Sequence, residues 1–171
     1  MTTIRPELRS DFDVVRAIND EAFGQPLEGR IIDAIRDACP EVVSLVAVED
    51  QGVVGHIFFS PVTIATEDGL VEGMGLGPMA VLPSRQRCGT GSQLIRAGLE
   101  ILRAQECPFV VVLGHTEYYP KFGFVPAIDH RLTCQWDGIP EDVFMALPLD
   151  ASVMKGVSGI ARYRPEFNEA V

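Results

Sequence analysis

Leu76-Gly77-Pro78-Met79-Ala80-Val81-Leu82-Pro83-Ser84-Arg85-Gln86-Arg87-Cys88-Gly89-Thr90-Gly91-Ser92 is the stretch on which the fold turns. Its first seven residues read as a strand, with Pro78 marking a bulge or a gap in pairing, because proline cannot donate to a ladder. From Gly89 to about residue 106 the period becomes helical. Leu94, Ile95, Leu99 and Leu102 share one stripe, while Arg96, Arg103 and Glu106 fall elsewhere. Pro108 closes that helix, and Phe109-Val-Val-Val-Leu113 is a short, wholly apolar strand of the kind buried on both faces. Residues 76–113 therefore read as a strand–helix–strand crossover with parallel strands.

The joint between strand and helix carries the chemistry. A helix start exposes unpaired backbone N–H groups and the positive end of the macrodipole, and glycine removes the side chains that would hold an anion away. Gln86 to Ser92 is thus a candidate pyrophosphate cradle, with Arg85 and Arg87 as candidate positive charge at its mouth. Competing phosphate loops fit less well. A P-loop needs Gly-Lys-Ser/Thr, and no lysine stands here. A dinucleotide fingerprint needs a third glycine where Leu94 stands, and an acid after the next strand, where Gly114-His115 stand.

Upstream, Ile4-Arg5-Pro6 suggests a first strand, and Ser10-Asp-Phe-Asp13 reads as a helix cap with an acid in the third position. Phe12, Val15, Ile18 and Ala22 predict a helix over 10–23; Ile31, Ile35 and Ala38 predict another over 26–38, stopped by Pro40. Val42 to Val48 and Val53 to Phe59 form a hairpin around Asp50-Gln51-Gly52, Pro61 interrupts the second run, and a turn at Glu67-Asp68-Gly69 leads into the strand of the opening stretch. Downstream the pattern predicts a helical piece near 116–122 and strands near 123–127, 132–136 and 143–147. The expected whole is a mixed α/β (α+β) domain over residues 1–171, with a core over 3–147 and a tail from 150 to 171 that the pattern leaves unassigned.

A chain of 171 residues, 47% of them hydrophobic, suits one domain. A net charge of -10 argues against a nucleic-acid or anionic-membrane binder, since both need a broad basic surface. The start shows no apolar core of signal-peptide length and no apolar run reaches about 18 residues. Four cysteines, Cys39, Cys88, Cys107 and Cys134, stand apart without a C-x-x-C pair, so neither a disulfide framework nor a metal site is indicated, and a cytoplasmic location is expected.

Gln86-x-x-Gly89-x-Gly91 resembles the Q/R-x-x-G-x-G/A pyrophosphate motif of the GNAT N-acetyltransferase superfamily in residue types, spacing and place between strand and helix. Tyr118-Tyr119-Pro120-Lys121-Phe122-Gly123-Phe124, with Tyr119 lying 28 residues beyond Gly91, looks like that superfamily's aromatic-Tyr-x-x-x-Gly-Phe signature. Gly114-His115 and the tyrosine segment are most similar to a predicted N-acetyltransferase subgroup of poorly defined substrate. The chain departs from many members in having Gly114-His115-Thr116 where they carry an asparagine.

The resemblance implies a mostly antiparallel sheet flanked by helices, with fourth and fifth strands splayed to admit the pantetheine arm of acetyl-CoA, the implied co-substrate. It implies that Met79, Ala80 and Val81 line that arm, a main-chain N–H near Val81 polarises the thioester carbonyl, and Gln86, Arg87, Cys88, Gly89, Thr90, Gly91 and Ser92 hold the pyrophosphate. Tyr119 is the implied general acid for the leaving thiolate, with Tyr118 in reserve. Glu21, Glu72, Glu117, His56 and His115 are the candidate bases. The acceptor is a small-molecule or peptide amine reached through 23–30 and 133–141, and a homodimer is left open. A coenzyme A-binding or sensing module without turnover is the alternative. Ordinary packing competes for Tyr119, a hydrogen-bonded strand histidine is the competing reading of His56, and Cys88 is read as loop, not nucleophile; Trp136, Phe124 and the valines of 109–113 are read as core.

Overall fold

The computed structural model describes residues 1–170. Strand β1 (Thr3–Pro6) is followed by a 3-10 turn and α1 (Phe12–Phe23), α2 (Leu27–Ala38), β2 (Val43–Glu49), β3 (Gly52–Thr66) and β4 (Gly69–Val81). Then come α3 (Thr90–Ala104), β5 (Phe109–Leu113), β6 (Val125–Pro126), β7 (Leu132–Cys134), β8 (Phe144–Pro148), α4 (Ala151–Met154) and β9 (Gly159–Arg162). The sheet runs β1-β2-β3-β4-β5-β8-β6, with β9 added to β3 and β7 beside β9. Along the main path β4 and β5 pair in parallel and their neighbours pair antiparallel. This is the expected mixed, mostly antiparallel α/β sheet with a parallel crossover.

Side-chain alternation decides which layer covers which face. Ile57 and Phe59 of β3 pack with Leu94, Ile95, Leu99 and Leu102 of α3, whereas Phe58 packs with Ile31, Ile32 and Ile35 of α2. In β5, Val110 and Val112 belong to the α3 side, while Phe109 and Val111 join Val62, Ile64, Leu132 and Ala161 on the other. All four of these β5 residues are buried, which is why the run carries no polar alternation. Each fully buried leucine or isoleucine of the α3 stripe is worth about 2 kcal/mol by area alone.

Several boundaries differ from the sequence expectation, each for a physical reason. Helix α1 begins at Phe12, not 10, because Asp11 is the acid that organises the start: its carboxylate accepts the Leu8 N–H at 2.7 Å and pairs with Arg5 at 2.6 Å. Strand β3 continues through Pro61 to Thr66. At Pro61 the pairing is with Met74 on one side only, since β2 ends opposite Phe59, so a missing N–H breaks no ladder. The piece near 116–122 is a turn closing in a 3-10 helix, Tyr119–Phe122, and β6 keeps only two residues before a second 3-10 turn, Ala127–His130. Trp136 is not core: it is half-buried, donates its indole N–H to Asn168 at 3.2 Å and lies against Tyr163. The tail contributes a strand, β9, which pairs antiparallel with β3 and parallel with β7.

Candidate active site

Two irregularities of β4 build the site. The register with β3 jumps from Ile57↔Met79 to Phe59↔Leu76, so Gly77-Pro78 is the extra length, where proline predicted a pairing gap. Parallel pairing with β5 covers only Met74, Gly75 and Leu76. Beyond Leu76 the two strands part, and after the bulge residues 79–81 keep β3 on one side with no strand on the other. Met79, Ala80 and Val81 therefore sit on an unpaired backbone edge, able to receive an extended chain as an added strand.

The loop after β4 turns directly into α3. Gly89 is the N-cap with φ 87°, in the left-handed region, and no side chain caps the helix, so the first-turn N–H groups stay free. A Cβ at Gly91 would lie 2.9 Å from the Tyr118 hydroxyl, so only a glycine leaves that space open. This cradle fits a diphosphate in shape and in the chemistry of its donors. Thr90 is 2% exposed and packs its side chain inward, leaving its backbone to the cradle; Cys88 is exposed, its Sγ 3.5 Å from the Gln86 carbonyl. Gln86 donates its side-chain amide to the Val81 carbonyl at 3.0 Å, which ties the loop to the end of the open strand. Arg85 points elsewhere, paired with Glu49 at 3.0 Å, whereas Arg87 is exposed with φ 60°.

The tyrosine segment closes the other side. The Tyr118 hydroxyl lies 3.3 Å from Ser92 Oγ, over the start of α3, and its ring meets Tyr119 and Phe122 edge-on. Tyr119 is 7% exposed, packed against Phe124 and over Gly114, where a Cβ would fall 2.2 Å from its ring. Burial, with Tyr118 alongside, pushes its phenol up to about 12. It therefore keeps its proton at neutral pH. Gly114 in place of an asparagine is what lets this ring sit at the end of β5.

A bare helix start beside an open strand edge suits an anionic group carried on an extended arm. The pattern defining the Acetyltransferase (GNAT) domain matches residues 3–127. The uncharacterized N-acetyltransferase YhbS of Escherichia coli K12 is 32% identical over 166 residues, 96% of this chain and 98% of its own.

The chain belongs to the GNAT acetyltransferase family.

YjhQ of the same strain, another uncharacterized N-acetyltransferase, is 37% identical over 120 residues, covering 69% of this GNAT chain and 66% of its own. Among solved structures, E. coli YhbS in complex with CoA superposes with a TM-score of 0.90 at 31% identity, over 98% of this chain and 92% of that one. A GNAT acetyltransferase from Brucella melitensis in complex with acetyl-CoA gives 0.79 at 35% identity, over 98% of both chains.

Of the candidate bases, the GNAT chain exposes Glu21, Glu72, Glu117 and His115, while His56 is fully buried. Ser44 Oγ donates to Glu7 at 2.8 Å, so His56 Nε2 must donate to Ser44, at 2.8 Å, and Nδ1 must accept from Asn19, at 3.3 Å. Glu7 in turn pairs with Arg36 at 2.6 Å. Burial first, and Arg36 second, hold the imidazole pKa down to about 3. With both nitrogens engaged, His56 has no lone pair to offer an amine. Sequence reasoning had no means to find this chain, because Glu7 lies in the loop after β1 and Asn19, Ser44 and His56 come from three different elements.

Proposed function

We propose that this N-acetyltransferase uses acetyl-CoA as donor and a primary amine as acceptor, by direct attack of the amine on the thioester. The observation that carries the reading is the coincidence of a bare helix start at Gly89–Ser92 with an unpaired β4 edge at 79–81 and a proton-bearing phenol at Tyr119. Each part serves one portion of one molecule: diphosphate, pantetheine arm and sulfur. Acetyl-CoA bound there supplies an acetyl group activated as a thioester. The E. coli and Brucella structures, which are complexes with CoA and acetyl-CoA, support the same choice of ligand.

In this reading the free N–H groups of Gly89, Thr90, Gly91 and Ser92 hold the pyrophosphate, with the backbone of Arg87 and Cys88 at its rim and the Arg87 guanidinium as local positive charge. Gln86 acts by bracing the loop against Val81. Met79, Ala80 and Val81 line the arm along the open edge, where the Val81 carbonyl is already taken by Gln86, and an N–H near Val81 polarises the thioester carbonyl. Tyr119 gives its proton to the departing thiolate. Tyr118, whose hydroxyl stands over Ser92, is placed to orient the cofactor. Residues 1–171 act as one domain, because β9 returns the tail to β3, and the free cysteines suit a reducing cytoplasm.

The test is a thiol-release screen with acetyl-CoA across primary amines, run beside Tyr119→Phe. Amine-dependent thiol release by the wild type, reduced in the variant with acetyl-CoA affinity kept, is the expected result. Tight acetyl-CoA binding without release for any amine would favour a sensing module; unchanged turnover in the variant would remove Tyr119 from its role.

A further inference from the structure

Strands β3 and β4 outrun the helix that covers them. The cluster under α3 reaches as far as Met74, opposite Pro61, and beyond that pair two further rows follow on the same face, because cross-strand partners share a face and the pattern repeats every second residue. In the first row Thr63 lies between Glu72 of β4 and Arg162 of β9. In the second Ala65 lies beside Leu70, and the same antiparallel register carried one step further puts Ile160 on its other side, with Thr133 of β7 next to Ile160. The residues between these point the other way: Val62, Ile64, Ala161 and Leu132 are buried. Leu70, by contrast, is 71% exposed and Ile160 41%, and Ala65, Glu72, Arg162 and Thr133 are exposed beside them.

One exposed leucine would need no explanation. A row that sets two large aliphatic side chains on either side of an alanine is a sheet face whose covering layer is missing. Its charges are uncompensated as well: neither Glu72 nor Arg162 has an ion-pair partner among the described residues, although both line, with Thr63, one shallow groove of about 310 Å³. The side chains are thus small along the middle strand and large on both flanks, with an acid on the β4 flank and a base on the β9 flank.

We infer that this face closes on the same face of a second copy of the chain. A two-fold axis lying between the two faces and running along β3, within the tilt usual for packed sheets, exchanges the flanks. It sets Leu70 of one protomer against Ile160 of its partner and Glu72 against Arg162, each contact made twice, while Thr63 and Ala65 face their own copies and let the backbones approach. Each copy supplies both halves of every pair, which is the self-complementarity a closed dimer requires. The bare rows cross β4, β3, β9 and β7, a width of about 19 Å, so the interface belongs to the small, exchanging class. They lie at the opposite end of β4 from Val81 and the cradle, so the contact leaves the proposed acetyl-CoA site open in both protomers.

Sedimentation velocity on the full chain from about 5 to 300 µM should show wild type passing from monomer to dimer. Glu72→Arg and Arg162→Glu should each weaken association at least about tenfold, since both charge pairs become repulsive in the symmetric dimer. Mixed in equal amounts, the two variants should dimerise again to the wild-type extent, because one now carries a base at both positions and the other an acid at both. Leu70→Asp should weaken association by a similar factor with acetyl-CoA affinity kept, as a charge set into an apolar row does. Melting temperatures within about 2 °C of wild type show each variant folded, as expected for exposed positions. Wild type that stays monomeric throughout overturns the inference and leaves the face to a dissimilar partner; a dimer that neither reversal weakens, or a mixture that stays monomeric, overturns it too.

Discussion

The two faces of the sheet around the β4–β5 opening are built on opposite principles. On the α3 face the apparatus is backbone: free N–H groups at Gly89–Ser92, the unpaired edge 79–81, and glycines that keep side chains away. All of it comes from one contiguous stretch. On the far face stand side chains drawn from distant segments, Glu7, Asn19, Ser44 and His56, buried and tied to one another by hydrogen bonds. The contrast teaches that bare backbone donors can be presented by local geometry, whereas a buried polar network has to be assembled by tertiary packing.

The sharpest way to break the backbone face is to fill it. Gly91→Val places a branched side chain where even a Cβ lies 2.9 Å from the Tyr118 hydroxyl. Acetyl-CoA affinity by calorimetry should fall by about 100-fold, or about 2.7 kcal/mol, with the melting temperature little changed. Next come the two tyrosines, which stand side by side and to which the proposed function gives different ends. Tyr119→Phe should lower kcat by about 10² with affinity kept, as loss of a general acid does. Tyr118→Phe, losing only a hydroxyl above Ser92, should raise the KM for acetyl-CoA about threefold with kcat kept, as loss of one neutral hydrogen bond does. An exchange of these two patterns in steady-state kinetics would reverse the roles.

What could be read from the sequence follows the same divide. The crossover and the bulge at Pro78 are local properties of 76–113, and each appears where the pattern put it; the parting of the fourth and fifth strands, which the family resemblance implied, follows directly after that bulge. The tail was unreadable because β9 is four residues long and takes its meaning from pairing with Thr63 and Ile64, about a hundred residues earlier. Trp136 misled for a related reason. A tryptophan reads as core by its size, but here it serves as a half-buried plate behind Tyr163. Arg85 looked equivalent to Arg87 until Glu49, at the far end of β2, was seen to hold it.

The far face can be broken by acid. His56 titrates near 6.5 when unfolded but is held to about 3 in the fold, so between those values the unfolded chain binds a proton that the folded one refuses. The stability present above pH 6.5 is therefore lost as pH falls towards 3, by about 1.4 kcal/mol per pH unit. Urea denaturation should show wild type losing about 2 kcal/mol more than His56→Gln between pH 6.5 and pH 5. Equal losses would mean that the imidazole opens to solvent without unfolding.

The finest contrast is between two arginines on one loop. Arg85 has its guanidinium 3.0 Å from Glu49, at 41% side-chain exposure, so its charge is largely compensated and its ion pair is of the weak, solvated kind. Arg87 is exposed, sits two residues before the N-cap, and has no ion-pair partner among the described residues. Arg87→Ala should weaken acetyl-CoA binding about three- to fivefold at low salt, and the difference should shrink at about 0.5 M salt as screening takes over. Arg85→Ala should change affinity by less than about twofold at either salt concentration, because removing it also frees Glu49 rather than uncovering the cradle. If Arg85→Ala proved the more damaging, the pair with Glu49 would be orienting the loop itself, and the backbone face would depend on a side-chain brace after all.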